Sequence, residues 1–315
     1  MKSKRLISFL SITILMMLLI GGCSSADDKT ADTTDNSTTT GIASDNNDLS
    51  DKSLQGPQNN TENKSGSATY EEPSDFEMAF SASAAEITGE LTIKAEEADA
   101  VREDGNKYIL SKGGEYHIHG TCGNRMIYID AKDQDLDIHL EGVTMTSEVG
   151  ALIFVENAEE VTISASDGTN NELSDNRTAR TNKKEDSEFG NAAVYSKDDL
   201  KFKGRGRLTI NGSYNNGIGC KNDIKIKNLT LTVNAHNNGI KGNDSVTIES
   251  GNITIVANNG NGIKTENTHI SDKGNQKGYV TIVGGNIDIT SDDDPIDAAY
   301  DLIIDSKNAV VTTNK

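Results

Sequence analysis

Four carboxylates fall within the six residues Asp292 to Asp297, in the segment "SDDDPIDAAYD", with no basic residue among them. Repulsion at that spacing is costly unless something neutralises it. Calcium takes several hard oxygen ligands, and carboxylates at adjacent and near-adjacent turn positions can surround one ion. Asp293, Asp294 and Asp297 are therefore candidate metal ligands, with a solvated acidic turn as the plain alternative.

Lysines supply the other candidate chemistry. Lys241 and Lys264 each follow a repeated Asn-Gly-Ile tripeptide. A lysine beside another cation can act as the base that removes the proton α to a uronate carboxylate. The same side chains can instead bind sugar carboxylates or face solvent. Lys201 with Lys225, and Lys203 with Lys227, should stack as a basic stripe that either attracts uronates or guards the surface against edge pairing. Asp198–Asp199, Asn222–Asp223 and Asn243–Asp244 form a second acidic column, read here as turn residues bonding their own backbone. No His-Glu-x-x-His motif, nucleophile elbow or phosphate loop occurs. There is no Trp and only 4% aromatic residues, so a flat platform for crystalline cellulose is not expected.

The elements that must position these residues are legible in a repeat. Asn-Gly-Ile occurs at Asn216, Asn238 and Asn261, spaced by 22 and then 23 residues. The apolar corner residue extends the series through Ile129, Ile153, Val194, Ile218, Ile240, Ile263 and Ile296. Two longer steps hold polar insertions, "SDGTNNELSDNRTARTNKKEDSEFGN" and "ENTHISDKGNQKG". Between corners, runs such as "IKIKN" and "LTLTVN" alternate apolar and polar, the period of strands, with Leu208, Ile210, Leu231, Val233, Ile253 and Ile255 on the inner face. No helical period follows the N-terminal segment. Short strands at a period in the low twenties describe the coils of an all-β parallel solenoid, about seven of them. Equivalent positions should then stack about 4.8 Å apart. Each corner Asn can pass a side-chain hydrogen bond from coil to coil, and the following Gly is expected to supply a positive φ. At the fourth corner Pro295 fixes φ near −65°, so it should not share that geometry. A β-sandwich would leave the fixed period unexplained.

The ordered series "GEYHIHG", "MIYIDA", "DLDIHLEGVTMTS", "ALIFVENAEEVTISASDGTNNELSD", "NAAVYSKDDLKFKGRGRLTINGSYNNGI" and "DDDPIDAAYDL" resembles a family of bacterial carbohydrate-binding lipoproteins. The resemblance runs from about Ile87 to the end. It implies a right-handed parallel β-helix, similar to family 9 pectate lyases, that contains calcium and binds cellulose and acidic sugars without being an enzyme. It also implies a calcium cluster completed by the preceding coil, where Gly260 and Asn261 stand and Glu266 is within reach; the expected ligands become Asp293, Asp294, Asp297, Asn261 and Glu266. Two departures stand out. The family usually has Asp-Gly-Ile at the corner, and its members run on through further coils, whereas this pattern stops at Lys315. A truncated product, or a chain that needs a partner at that edge, is expected.

Met1 to Cys23 reads as a lipoprotein signal: Lys2, Lys4 and Arg5, an apolar run, then "IGGC" with Cys23 as the lipid attachment site. From residue 24 to 86, Asp, Asn, Thr and Ser dominate, with too little apolar surface to offset chain entropy, as expected of a disordered spacer. Its 13 acidic and 3 basic residues supply −10 of the net −19. So acidic a chain is not expected to bind nucleic acid. Cys122 and Cys220 are expected as two separate buried thiols. The sequence thus predicts a lipid-anchored, extracytoplasmic β-helix over residues 87–315. Its expected function is binding of acidic polysaccharide or a cellulose-like glycan with calcium, with Lys241, Lys264, Lys201 and Lys225 as candidate sugar contacts. A calcium-dependent lyase and a purely adhesive surface protein are the alternatives.

Overall fold

The computed structural model describes residues 85–87, 91–180 and 186–315. The predicted signal, the lipid site Cys23 and nearly all of the acidic spacer lie outside these residues. The chain winds as a parallel β-helix with three faces. The first face stacks Glu160–Ala165, Asp199–Gly204, Asp223–Lys227, Ser245–Ile248, Tyr279–Ile282 and Asp301–Ile304. The second stacks Asn170–Asp175, Arg207–Gly212, Leu229–Ala235, Gly251–Ala257, Gly285–Ser291 and Ala309–Asn314. Two long strands, Gly114–Gly123 and Leu136–Ser147, run across both faces at the N-terminal end. The third face is a nine-stranded sheet, parallel except for Val101–Asp104. Its eight parallel strands give eight coils where the repeat suggested about seven.

Alternation builds the core directly. Leu229–Ala235 buries every second residue, and the columns Leu208–Leu231–Ile253–Ile287 and Ile210–Val233–Ile255–Ile289 are all at most 2% exposed. Each such side chain contributes about 1.5–3 kcal/mol of burial. The N-terminal edge does not end on bare parallel strands. Leu91–Ala95 covers Gly114–Gly123 and Val101–Asp104 covers Lys107–Leu110, both antiparallel, which occupies backbone groups that would otherwise template pairing. Cys122 and Cys220 are buried and not joined by a disulfide, and burial pushes the Cys220 thiol up to about 12.

Several expectations need correction. The first polar insertion is shorter than predicted: Asn170–Asp175 is a regular strand of the second face, paired to Arg207–Gly212. Leu173 is its single buried aliphatic, too weak a pattern to read as alternation. One helical turn, Asp186–Phe189, lies in what remains of that insertion. In the corner series Ile153 pairs with Ile127, not Ile129; both are buried, and a slip of two residues keeps a strand's inner face unchanged.

The corner itself turns differently. Gly217, Gly239 and Gly262 do not have positive φ. Positive φ occurs instead between the first and second faces, at Gly204, Asn228, Gly251 and Gly285. The corner residues are glycine because the opposite wall is too close: an added Cβ would lie 2.2 Å from Val233 Cγ1, Ile255 Cγ2 and Ile289 Cγ2, respectively. Pro295 therefore fits the same series after all. Its carbonyl accepts from Ile263 N at 3.0 Å, while Gly262 N donates to Asp294 O at 3.0 Å.

Candidate functional site

The first face carries a groove of about 690 Å³ where its strands begin. Its floor is a column of polar strand starts. Asp223 pairs in register with Ser245, and Ser245 with Tyr279. Asp223 N donates to Asp199 Oδ1 at 3.2 Å, and Ser245 Oγ to Asp223 Oδ1 at 2.7 Å. The wall is the second insertion, residues 266–278, which folds back over this column. Asp244, only 6% exposed, holds it there, accepting Asn267 Nδ2 at 2.7 Å and pairing with Lys277 Nζ at 2.5 Å. Gly278 N also donates to Asp244 O at 2.6 Å. Exposed Ile270 and the Tyr279 ring supply apolar surface, and Tyr279 meets the half-exposed Tyr300 edge-on at 5.1 Å.

Acidic side chains predominate over basic ones along the groove. Desolvation raises the Asp199 pKa; the hydrogen bond from Asp223 N opposes this, and the charges of Asp223, Glu160 and Asp198 add to it. The hydrogen bond to Asp244 holds the Lys277 ammonium above the usual lysine value. The arrangement offers fixed carboxylate and hydroxyl groups beside aromatic surface. Such groups can accept directed hydrogen bonds from hydroxyls.

The acidic column read from the sequence is only partly the one that lines this groove. Register places Asp223 opposite Ser245, so Asn243–Asp244 sits one residue ahead of the predicted alignment. That shift turns Asp244 toward the loop rather than the groove floor. The signal for the site was available in the sequence as two facts together: acids recurring at strand starts, and a long insertion one coil later.

The other predicted residues are placed as follows. Lys201 and Lys225 are register partners, as are Lys203 and Lys227, but the stripe is interleaved with acids. Lys201 pairs with Glu160 at 2.5 Å, Lys203 with Asp137 at 3.1 Å, and Glu249 serves both Lys225 and Lys227. Lys241 and Lys264 are also register partners, and Asp297 follows Lys264 in the same column. Lys264 pairs with Asp297, and Lys241 with Glu266 at 2.8 Å.

Those pairs bear on the expected calcium ligands. Asp297 and Glu266 each face a lysine, so the repulsion within the acidic turn is relieved across coils by Lys264. Asn261 is 5% exposed, and its Oδ1 accepts Asp294 N at 3.0 Å while its Nδ2 donates to Asn238. It belongs to the amide ladder Asn216–Asn238–Asn261, linked by Nδ2-to-Oδ1 bonds of 2.9 and 3.3 Å. Asp293 and Asp294 keep exposed carboxylates. Among the described residues, Asp293, Asp294, Asp297 and Glu266 do not bring three carboxylates within 4.8 Å of one another. Among the described residues the group of three metal-capable side chains that does converge is Glu115, His117 and His139.

Comparison with known proteins gives a consistent picture. A family model described as carbohydrate-binding domain-containing protein matches residues 104–315. A protein of Acetivibrio thermocellus, also described as a carbohydrate-binding domain-containing protein, is 39% identical over 223 residues, covering 70% of this chain and 75% of its own length. The solved structure of a polysaccharide lyase-like protein from C. thermocellum, a gadolinium derivative, is 37% identical with a TM-score of 0.59. That match covers 69% of this chain and 89% of the other.

Proposed function

The chain belongs to the family of carbohydrate-binding domain-containing proteins, and from that premise we propose that it binds polysaccharide in the groove beneath the 266–278 loop. The observation that carries this reading is the column Asp199–Asp223–Ser245 running under an anchored loop and ending at Tyr279. Carboxylates there accept hydrogen bonds from sugar hydroxyls, and the tyrosine face takes the apolar face of a ring.

Charge then decides which sugars need help. A neutral, cellulose-like glycan can dock directly. An acidic glycan meets like charge and requires a cation between its carboxylates and those of the protein. Calcium, a hard ion with a preference for carboxylate oxygen, is the cation we propose. It acts as a bridge in the groove and at the exposed Asp293–Asp294 turn, not within a closed protein cage. The same reading places the protein outside a bacterial cell, tethered through lipid on Cys23 with the acidic segment as spacer.

The test is calorimetric titration with cello-oligosaccharide and with oligogalacturonate, each in calcium and in chelator. Binding of the neutral sugar in both buffers, binding of the acidic sugar in calcium alone, and loss of both in Asp199→Ala and Tyr279→Ala support the proposal. Affinity unchanged in both variants removes the groove. The likeness to a polysaccharide lyase-like protein favours a second reading, lyase activity, which would appear as ultraviolet absorbance of an unsaturated uronate product. Absence of binding to either sugar leaves the adhesive role.

A further inference from the structure

On the first face, at the opposite end of the solenoid from the groove, two histidines stack. His117 of Gly114–Gly123 and His139 of Leu136–Ser147 are register partners, with ring centroids 4.7 Å apart and planes within 10°. Glu115, two residues before His117 in the same strand, points to the same side. One ligand atom from each of the three lies within 4.8 Å of the others. Glu141 lies 2.6 Å from His117 Nδ1, so the remaining nitrogen, Nε2, is the one turned toward Glu115.

Two buried polar atoms at this spot are unsatisfied. His139 Nε2 has no hydrogen-bond partner, nor has the hydroxyl of Ser164, the register partner of His139 in the next coil. A buried polar atom without a partner has lost its hydration with nothing in exchange, so its presence asks for a ligand. The stack does not continue as a structural ladder in the way the asparagines do, because Ser164 and Lys203 take the next two places.

We propose that Glu115, His117 and His139 form a binding site for a divalent transition ion of the zinc class, clamping the first two complete coils together. Two imidazoles and one carboxylate are a familiar zinc donor set, with a fourth position open to water. Imidazole nitrogen also separates this site from the calcium chemistry of the acidic turns. Glu141 is the outer carboxylate that fixes the His117 tautomer. Lys94, in register with His117, and Lys203 flank the site; Asp137 takes up the Lys203 charge, leaving Glu115 and Glu141 to balance the ion.

The experiment is a zinc titration of the chelator-stripped protein by calorimetry, with cobalt absorption as a second readout. One zinc per chain is expected, unaffected by excess calcium, together with a rise in melting temperature on loading. His139→Gln and Glu115→Gln should abolish the cobalt spectrum, and Glu141→Gln should weaken zinc by about 10- to 100-fold. Glu115 is 43% exposed, so its variant tests the site without threatening the fold. Sub-stoichiometric zinc, or wild-type affinity in His139→Gln and Glu115→Gln, overturns the proposal.

Discussion

A Cβ placed on Gly239 would lie 2.2 Å from the Cγ2 of Ile255, on the facing wall of the same coil. The glycine is thus a packing residue, and the repeat's period is kept by sterics rather than by a special backbone angle. Gly239→Ala should destabilise the protein by about 1–3 kcal/mol, the usual cost of overpacking. Ile255→Ala alone should cost about 2–5 kcal/mol. Because Ile255→Ala vacates the space that a methyl group at position 239 would enter, the double variant should cost clearly less than the sum. Strict additivity in urea unfolding would show that the two residues do not share that space.

The amide ladder makes a second prediction. Asn238 donates to Asn216 Oδ1 at 2.9 Å and accepts from the backbone N of Asn261 at 3.1 Å, at 7% exposure. Asn238→Ala leaves buried groups on two neighbouring coils short of a partner, at about 1–3 kcal/mol. Hydrogen exchange should accelerate at the Asn261 amide more than at amides two coils away. Uniform exchange would argue against a local ladder.

These two residues also mark what could be read in advance. The repeated Asn and Gly announced a solenoid because stacking demands the same residue at the same place in every coil. Their reasons were less accessible: the sequence does not say which wall faces a corner, so glycine was assigned a positive φ that is found at Gly251 and Gly285 instead. The strand Asn170–Asp175 was hidden because three of its four buried positions, Asn171, Ser174 and Asp175, are polar and are satisfied by side-chain hydrogen bonds rather than by apolarity. Long-range pairing explains the site as well. Asp297 looked uncompensated in "DDDPID", yet Lys264, 33 residues earlier, is its partner.

Asp175 itself yields a third prediction. It is fully buried, and Arg177 grips it through Nε at 2.9 Å and a terminal nitrogen at 2.7 Å while lying 3.9 Å over the Tyr214 ring. Arg177 also donates to Gly190 O at 3.0 Å, tying the insertion to the solenoid. Asp175→Ala strands a buried guanidinium and should cost about 3–5 kcal/mol. The loss should be almost insensitive to added salt, because buried pairs are poorly screened. A loss that vanishes in 1 M salt would mean the pair is effectively a surface one.

The groove floor supplies the last prediction, and its sign follows from Asp199. Burial holds this carboxyl above its ordinary value of 3.8. A carboxyl whose pKa rises on folding contributes stability that is complete below the unfolded value and is lost as pH climbs through the folded one. Asp199→Asn keeps an oxygen for Asp223 N and removes the charge. It should therefore melt higher than the wild type at neutral pH, with the gap closing as the pH falls through the carboxylate range. Calcium offers a check on the cause. An ion held against the column stabilises ionised Asp199, so saturating calcium should narrow the neutral-pH gap and leave the acidic limb unchanged. A gap of constant size from pH 7 to the acid limb would trace the effect to packing instead of to the buried charge.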